Sequence, residues 1–277
     1  MQILRDPAAA RRAARALPRP LGFVPTMGAL HPGHLALVAR ARADGAAVAA
    51  SIFVNPKQFG PQDDFAKYPR AFQSDAEVLE AAGVALLYAP DVETMYPPGF
   101  ATTVDVGPLG RTLEGARRPG HFAGVALVVL KLLGAVAPDR LYLGQKDVQQ
   151  TAVLRALARD LDLGTEIVVV PTDREADGLA RSSRNVYLTP AQRAAAPSIY
   201  RALLAARAAL PAPGLPVAGA LALAAAAIEP PLSLESLACV DPATFEAMER
   251  LALPALLVIV AVAGTTRLLD NLPVAEA

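Results

Sequence analysis

Over its first 170 residues the chain alternates short, largely apolar runs with longer stretches of helical pattern, and this alternation restricts its fold more than anything else. The apolar runs lie at 21–25, 48–54, 84–88, 141–143 and 166–170; the helical patterns lie near 34–43, 74–82, 122–136 and 147–160. A strand that is apolar on both faces must be covered on both faces, and the intervening helices supply the cover. We therefore expect an α/β fold built on a Rossmann-like, doubly wound parallel sheet. Ligands of such sheets bind beyond the carboxyl ends of the strands. Polar clusters stand at those positions: 26–34 after the first run, 55–58 after the second, 144–147 after the fourth and 172–185 after the fifth.

Beyond about residue 190 the pattern changes. Residues 199–229 are alanine-rich and broken by Pro-Ala-Pro-Gly-Leu-Pro at 211–216, which suggests two helices joined by a turn. Residues 256–263 read as a buried strand with 232–240 as its partner. The expected organisation is a first domain over 1–172 and a smaller α+β C-terminal domain over 173–277.

Composition limits the partners. The 26 basic and 26 acidic residues balance, so no global field draws the chain to nucleic acid or an anionic membrane. Cys239 is alone, which excludes an internal disulfide and a multi-cysteine zinc site. The N-terminus lacks the apolar core of a signal peptide. The strongest apolar stretches, 122–136 and 255–263, fall short of the ~20 residues a membrane span needs. A soluble, cytoplasmic protein is expected.

His31-Pro-Gly-His34 places two of three histidines at a turn that opens a helix. Three readings are open: a zinc-binding pair, a structural pair, or imidazoles that donate to phosphate oxygens at a helix N-terminus. Asn55-Pro-Lys-Gln58 ends a strand with two amides, which suit a hydroxyl or a carboxylate but also an ordinary turn. In Gly144-Gln-Lys146-Asp147-Val-Gln-Gln150, glycine allows close approach, Lys146 carries a point charge, and Asp147 stands at a helix start, a cap or a metal partner. Arg181-Ser182-Ser183-Arg184-Asn185 is a cationic, hydroxyl-rich loop of the kind that closes over a triphosphate. His121, in Gly120-His-Phe-Ala-Gly124, receives no chemical role from the sequence.

Together these segments resemble the pantothenate synthetases of the HxGH nucleotidyltransferase superfamily. The matching stretches are PTMGALHPGHLALV, SIFVNPKQFGP, YPR, RPGHFAGV, GQKDVQQ, PTDREADGLARSSRNVYL and GTTRLLDN, in family order. The resemblance implies a ligase that uses ATP and (R)-pantoate to form pantoyl adenylate and pyrophosphate. β-Alanine then takes the acyl group and AMP leaves. It assigns catalysis to His34, His31, Lys146 and Arg184, with His34 as proton donor. ATP would meet Met27, Gly28, Gly33, His34, Gly144, Lys146, Asp147, Asp173, Arg181, Ser182, Ser183 and Arg184. Pantoate and β-alanine would meet Gln58, Gln150, Asn55 and Met27, with Val128 and Val129 against the geminal methyls. Mg²⁺ is implied on the triphosphate, with Asp75 as a candidate contact, and a homodimer is implied as the assembly.

Four departures from the family pattern stand out. Gln145 replaces a glutamate, Arg181 a methionine or leucine, Asp173 a valine, and Ser74 one member of an acidic pair at 74–75. Arg181 and Asp173 are unusual in the same region, which predicts that they form an ion pair. The competing functions are another adenylyltransferase of the superfamily, a His-ligated metal hydrolase and a non-catalytic nucleotide-binding subunit. An adenylyltransferase for a phosphorylated acceptor wants extra cations, whereas Asn55, Gln58 and Gln150 are amides.

Overall fold

A computed structural model describes residues 1–61, 65, 66 and 68–275. The chain forms two compact units: Met1–Gly144 with Gln150–Val170, and Gln145–Gln149 with the chain from Pro171 onward.

Among the described residues the first unit is built on six strands: β1 (Gln2–Leu4), β2 (Leu21–Thr26), β3 (Ala47–Ile52), β4 (Leu86–Tyr88), β5 (Arg140–Gly144) and β6 (Glu166–Val170). Their order is β1-β4-β3-β2-β5-β6, and every pairing is parallel. The helices that accompany them are α1 (Pro7–Arg15), α2 (Pro32–Ala43), α3 (Phe72–Ala81), α4 (Val92–Met95), α5 (Leu113–Arg117), α6 (His121–Val136) and α7 (Val148–Asp160). This is the doubly wound α/β sheet expected from the alternation. From β2 the chain winds outward through β3, and from β5 it winds the other way, so the switch point lies where β2 and β5 end.

Side chains of β2 alternate between two cores. Leu21 and Phe23 pack with Ala10 and Ala14 of α1 and with Val125, Val129 and Leu132 of α6. Val24 packs with Leu37, Val38 and Ala41 of α2 and Leu79 of α3. A strand period of two produces this division, and it covers both faces of the sheet. Helix α6 is apolar nearly all round because eleven of its sixteen residues are buried. α1 has no large apolar stripe; it buries only Ala10 and Ala14 and is capped by Asp6, whose carboxylate accepts from Ala9 N at 2.7 Å.

The second unit holds α8 (Pro190–Ala195), α9 (Ser198–Ala208), α10 (Ala218–Ala226) and three antiparallel strands, β7 (Ser233–Val240), β8 (Leu256–Ala263) and β9 (Thr266–Pro273). The β7–β8 pairing agrees with the sequence pattern; β9 is an additional strand, hairpinned to β8 through Gly264 at φ +66. Among the described residues no helix is long and apolar enough to cross a membrane.

Candidate active site

β2 runs into a turn whose backbone is set by its hydrogen bonds. Gly28 N donates to Thr26 Oγ1 at 3.2 Å, Ala29 N to Asp75 Oδ2 at 2.8 Å, and Leu30 N to Asp75 Oδ1 at 2.9 Å. Gly28 and Ala29 both adopt left-handed conformations, φ +81 and +52. Glycine takes that region freely; for alanine it costs roughly 1–2 kcal/mol, so outside bonds must hold the turn.

His31 then caps α2. Its Nδ1 accepts from Gly33 N at 3.2 Å, and its own N–H donates to His34 Nδ1 at 3.3 Å, a reciprocal capping box made of two imidazoles. The rings lie 4.1 Å apart, tilted by 45°. A neutral ring whose Nδ1 accepts carries its proton on Nε2, so each imidazole presents an Nε2–H donor. Gly33 thus serves the cap through its N–H.

β3 leads into the second turn, a 3-10 turn over Pro56–Gln58. Asn55 is buried and fully engaged: its Nδ2 donates to Gln58 Oε1 at 3.0 Å and to Gly124 O at 3.1 Å. Its Oδ1 accepts from Tyr96 OH at 2.8 Å and from Lys57 N at 3.2 Å. Asn55 therefore holds Gln58 in place through its own saturated amide. Burial raises the Tyr96 phenol pKa well above its ordinary value, so the hydroxyl stays a donor. Gln58 Nε2 reaches Met27 Sδ at 3.3 Å, which joins the glutamine turn to the histidine turn. His121 Nδ1 lies 2.8 Å from Gln58 O, and Arg118 Nη1 lies 3.2 Å from His121 Nε2. Gln150 is half-buried on α7, and Val128 and Val129 are buried in the α6 core beside Phe53.

Within the second unit, the turn Gln145–Asp147 is tied to β9. Asn271 Nδ2 donates to Gln145 O at 2.9 Å and to Lys146 O at 3.0 Å, while Gln145 Nε2 donates to Asn271 Oδ1 at 3.4 Å. Lys146 Nζ stands 3.7 Å from Asp147 Oδ1. Lys146 and Ser182 line one small cavity with Asn185 and Tyr200. Ser182 caps the 3-10 turn Ser183–Tyr187, its hydroxyl accepting from Arg184 N at 3.3 Å.

The ion pair predicted between Arg181 and Asp173 is present, with Nε 2.8 Å from Oδ2. Among the described residues neither atom has an aligned hydrogen-bond partner, so the contact is one of charge rather than of a directed N–H. Nearby, Arg174 grips Asp270 with both guanidinium nitrogens at 2.6 and 2.9 Å and lies 3.8 Å above the Tyr200 ring. Tyr96, Arg118, Asp270 and Asn271 received no role from the sequence. The stretch GTTRLLDN pointed to the last two without saying what they hold.

No group of three or more His, Cys, Asp or Glu among the described residues is placed to hold a metal ion. Asp75 is 5% exposed and both its oxygens accept backbone N–H groups. The carboxylate expected to contact Mg²⁺ is thus bonded to backbone through both oxygens, and the Ser74 hydroxyl lies 3.2 Å from Ala71 O. The zinc reading of His31 and His34 finds no support in the fold. Both Nδ1 atoms are engaged in the cap, and among the described residues no third ligand accompanies them.

Residues 2–273 match the family model for pantoate-beta-alanine ligase. The chain belongs to the pantoate-beta-alanine ligase family. A pantothenate synthetase of Rhizorhabdus wittichii is 53% identical over 263 residues, 93% of this chain and 92% of that one. One from Chloroflexus aggregans is 62% identical over 206 residues, 74% of each chain. Among solved structures, the pantothenate synthetase of Thermus thermophilus superposes with a TM-score of 0.92 at 49% identity, covering 100% of both chains. A pantoate-beta-alanine ligase from Francisella tularensis, complexed with beta-gamma ATP and beta-alanine, superposes with a TM-score of 0.82 at 32% identity, covering 100% of this chain and 99% of that one. Membership of the pantoate-beta-alanine ligase family gives the two polar turns of the first unit one chemical context, ATP-dependent activation of an acid.

Proposed function

We propose that the chain condenses (R)-pantoate with β-alanine at the expense of ATP, through pantoyl adenylate. A carboxylate is a poor electrophile until a good leaving group is attached to it. In the first step a pantoate carboxylate oxygen attacks the α-phosphorus and pyrophosphate departs. In the second the β-alanine amine attacks the acyl carbon, forming the amide and releasing AMP.

The observation that carries this reading is the Met27–Gln58 contact at 3.3 Å. It sets an amide suited to the acid beside a turn whose imidazoles present N–H donors suited to phosphate. Negative charge builds on the bridging and β-phosphate oxygens as pyrophosphate leaves, and fixed donors aimed at that charge lower the barrier. In this reading His31 and His34 are two such donors; Lys146, Ser182, Ser183 and Arg184 are the others. Met27, Gly28, Gly33, Gly144, Asp147, Asp173 and Arg181 contribute to ATP binding. Gln58 and Gln150 take the carboxylate and hydroxyls of pantoate, with Val128 and Val129 as its apolar wall and Asn55 fixing Gln58. Mg²⁺ enters as counter-ion of the triphosphate, held by phosphate and water oxygens. A cytoplasmic homodimer belongs to the same reading, and sedimentation velocity tests the dimer.

Carboxyl-¹⁸O pantoate tests the adenylate. One label atom should appear in AMP for each pantothenate formed. ADP as the nucleotide product, or AMP without label, would overturn the reading.

A further inference from the structure

We propose that Asp75 is the positioning residue of the histidine turn, its buried carboxylate holding His31 and His34 in place by accepting the successive N–H groups of Ala29 and Leu30. The proposal rests on the ligase reading above and gives Asp75 no contact with substrate or metal.

Asp75 comes from the first turn of α3, 46 residues along from Ala29, so its bonds tie two separate elements together. Each oxygen takes one N–H, Oδ2 from Ala29 at 2.8 Å and Oδ1 from Leu30 at 2.9 Å. Both donors follow Gly28, and the first belongs to an alanine held at φ +52. A non-glycine residue leaves that region unless something fixes it, and a charge-assisted bond to its own N–H does so. The fit is close: a Cβ placed on Gly28 would stand 2.9 Å from Asp75 Oδ2.

From Leu30 the constraint passes along backbone alone. Leu30 is followed by His31, whose Nδ1 accepts from Gly33 N and whose N–H reaches His34 Nδ1. Carboxylate, turn, cap and second imidazole therefore form one chain of short links without a flexible side-chain joint before the rings. The chemistry of the group matters as much as its shape. Two N–H donors converge on it and each needs an acceptor. Asparagine in the same volume offers one acceptor and turns an NH₂ toward the other N–H.

D75N, H34Q and the double variant are assayed by pantoate-dependent ATP–pyrophosphate exchange over a range of Mg²⁺, with melting curves to establish folding. A misplacement of about 1 Å costs on the order of 10²-fold in rate, so D75N should lose about that factor in kcat. The half-saturating Mg²⁺ should stay unchanged, and in the H34Q background D75N should cost less than about tenfold, because both disturb the same histidine turn. Recovery of D75N by excess Mg²⁺, full multiplication of the two losses, or a kcat within about threefold of the original would each overturn the proposal. If D75N fails to fold, hydrogen exchange on the unaltered protein decides. The Ala29 and Leu30 amides should be protected, and exchange at the rate of an open loop would contradict the brace. Failure of the unaltered protein to make pantothenate would sink the ligase reading instead, a result distinct from all of these.

Discussion

Gly124→Ala tests whether α6 acts as a mould for the glutamine turn. A Cβ at Gly124 would lie 2.2 Å from Lys57 O, 2.5 Å from Lys57 C and 2.8 Å from Gln58 N, all of them backbone atoms. Real Cβ contacts essentially never fall below 3.0 Å, so the turn must retreat by about 0.8 Å. No flexible side chain is available to absorb that movement. The retreat pulls on the Asn55 Nδ2 bond to Gly124 O and carries Gln58 away from Met27. Overpacking of this kind costs ~1–3 kcal/mol of stability. A displacement near 1 Å at a substrate-positioning group costs about 10²-fold in rate, or ~2.7 kcal/mol of transition-state stabilisation. We expect kcat/KM for pantoate to fall about 10²-fold, KM for ATP to move less than about threefold, and Tm to drop by several degrees. The assay is steady-state pantothenate formation with pantoate and ATP varied separately. A variant within about threefold of the original in kcat/KM for pantoate, or one whose KM for ATP rises about as far as its kcat/KM for pantoate falls, would refute this.

Other substitutions follow from the same geometry. H34A should lower turnover by roughly 10²–10³-fold, the usual cost of losing an oxyanion-type donor, and K146A should be comparably damaging; stopped-time AMP release measures both. Y96F removes the 2.8 Å bond to Asn55 Oδ1 and should cost about 1–2 kcal/mol in a denaturant melt together with a rise in KM for pantoate. Because the folded phenol titrates above its ordinary value, that bond should persist through the neutral and moderately alkaline range, and KM for pantoate should not rise there on account of Tyr96. R174M leaves Asp270, 4% exposed, without its guanidinium partner. An uncompensated buried charge costs about 3–5 kcal/mol, a Tm loss on the order of 10 °C by calorimetry.

The sheet was readable because the interiors of its strands are apolar: 21–25, 141–143 and 167–170 stand out against their flanks, and the polar turns follow them. Elements with weak patterns were not. β1 has three residues, and α1 buries only alanines, so neither leaves a stripe of large apolar side chains. β9 was hidden because Asp270 and Asn271 are polar in sequence yet 4% and 2% exposed in the fold. Their burial depends on Arg174, Gln145 and Lys146, distant in sequence, and no local pattern announces a partner about a hundred residues away. The same holds at the site. Histidines and amides beside strand ends were legible as chemistry, and the Arg181–Asp173 pair was legible because both residues were unusual together. Which groups hold the others was not. The sequence did not show that the Asn55 amide is bonded to Gln58 and Gly124, or that both Asp75 oxygens accept backbone N–H groups. A motif records residue types, whereas the use of each lone pair is decided by tertiary packing.

The central claim is that ATP activates the acid as an adenylate. ATP–pyrophosphate exchange, measured with and without (R)-pantoate and in the absence of β-alanine, tests it directly. Exchange should require pantoate and proceed without the amine. Exchange independent of pantoate, or none until β-alanine is added, would contradict it.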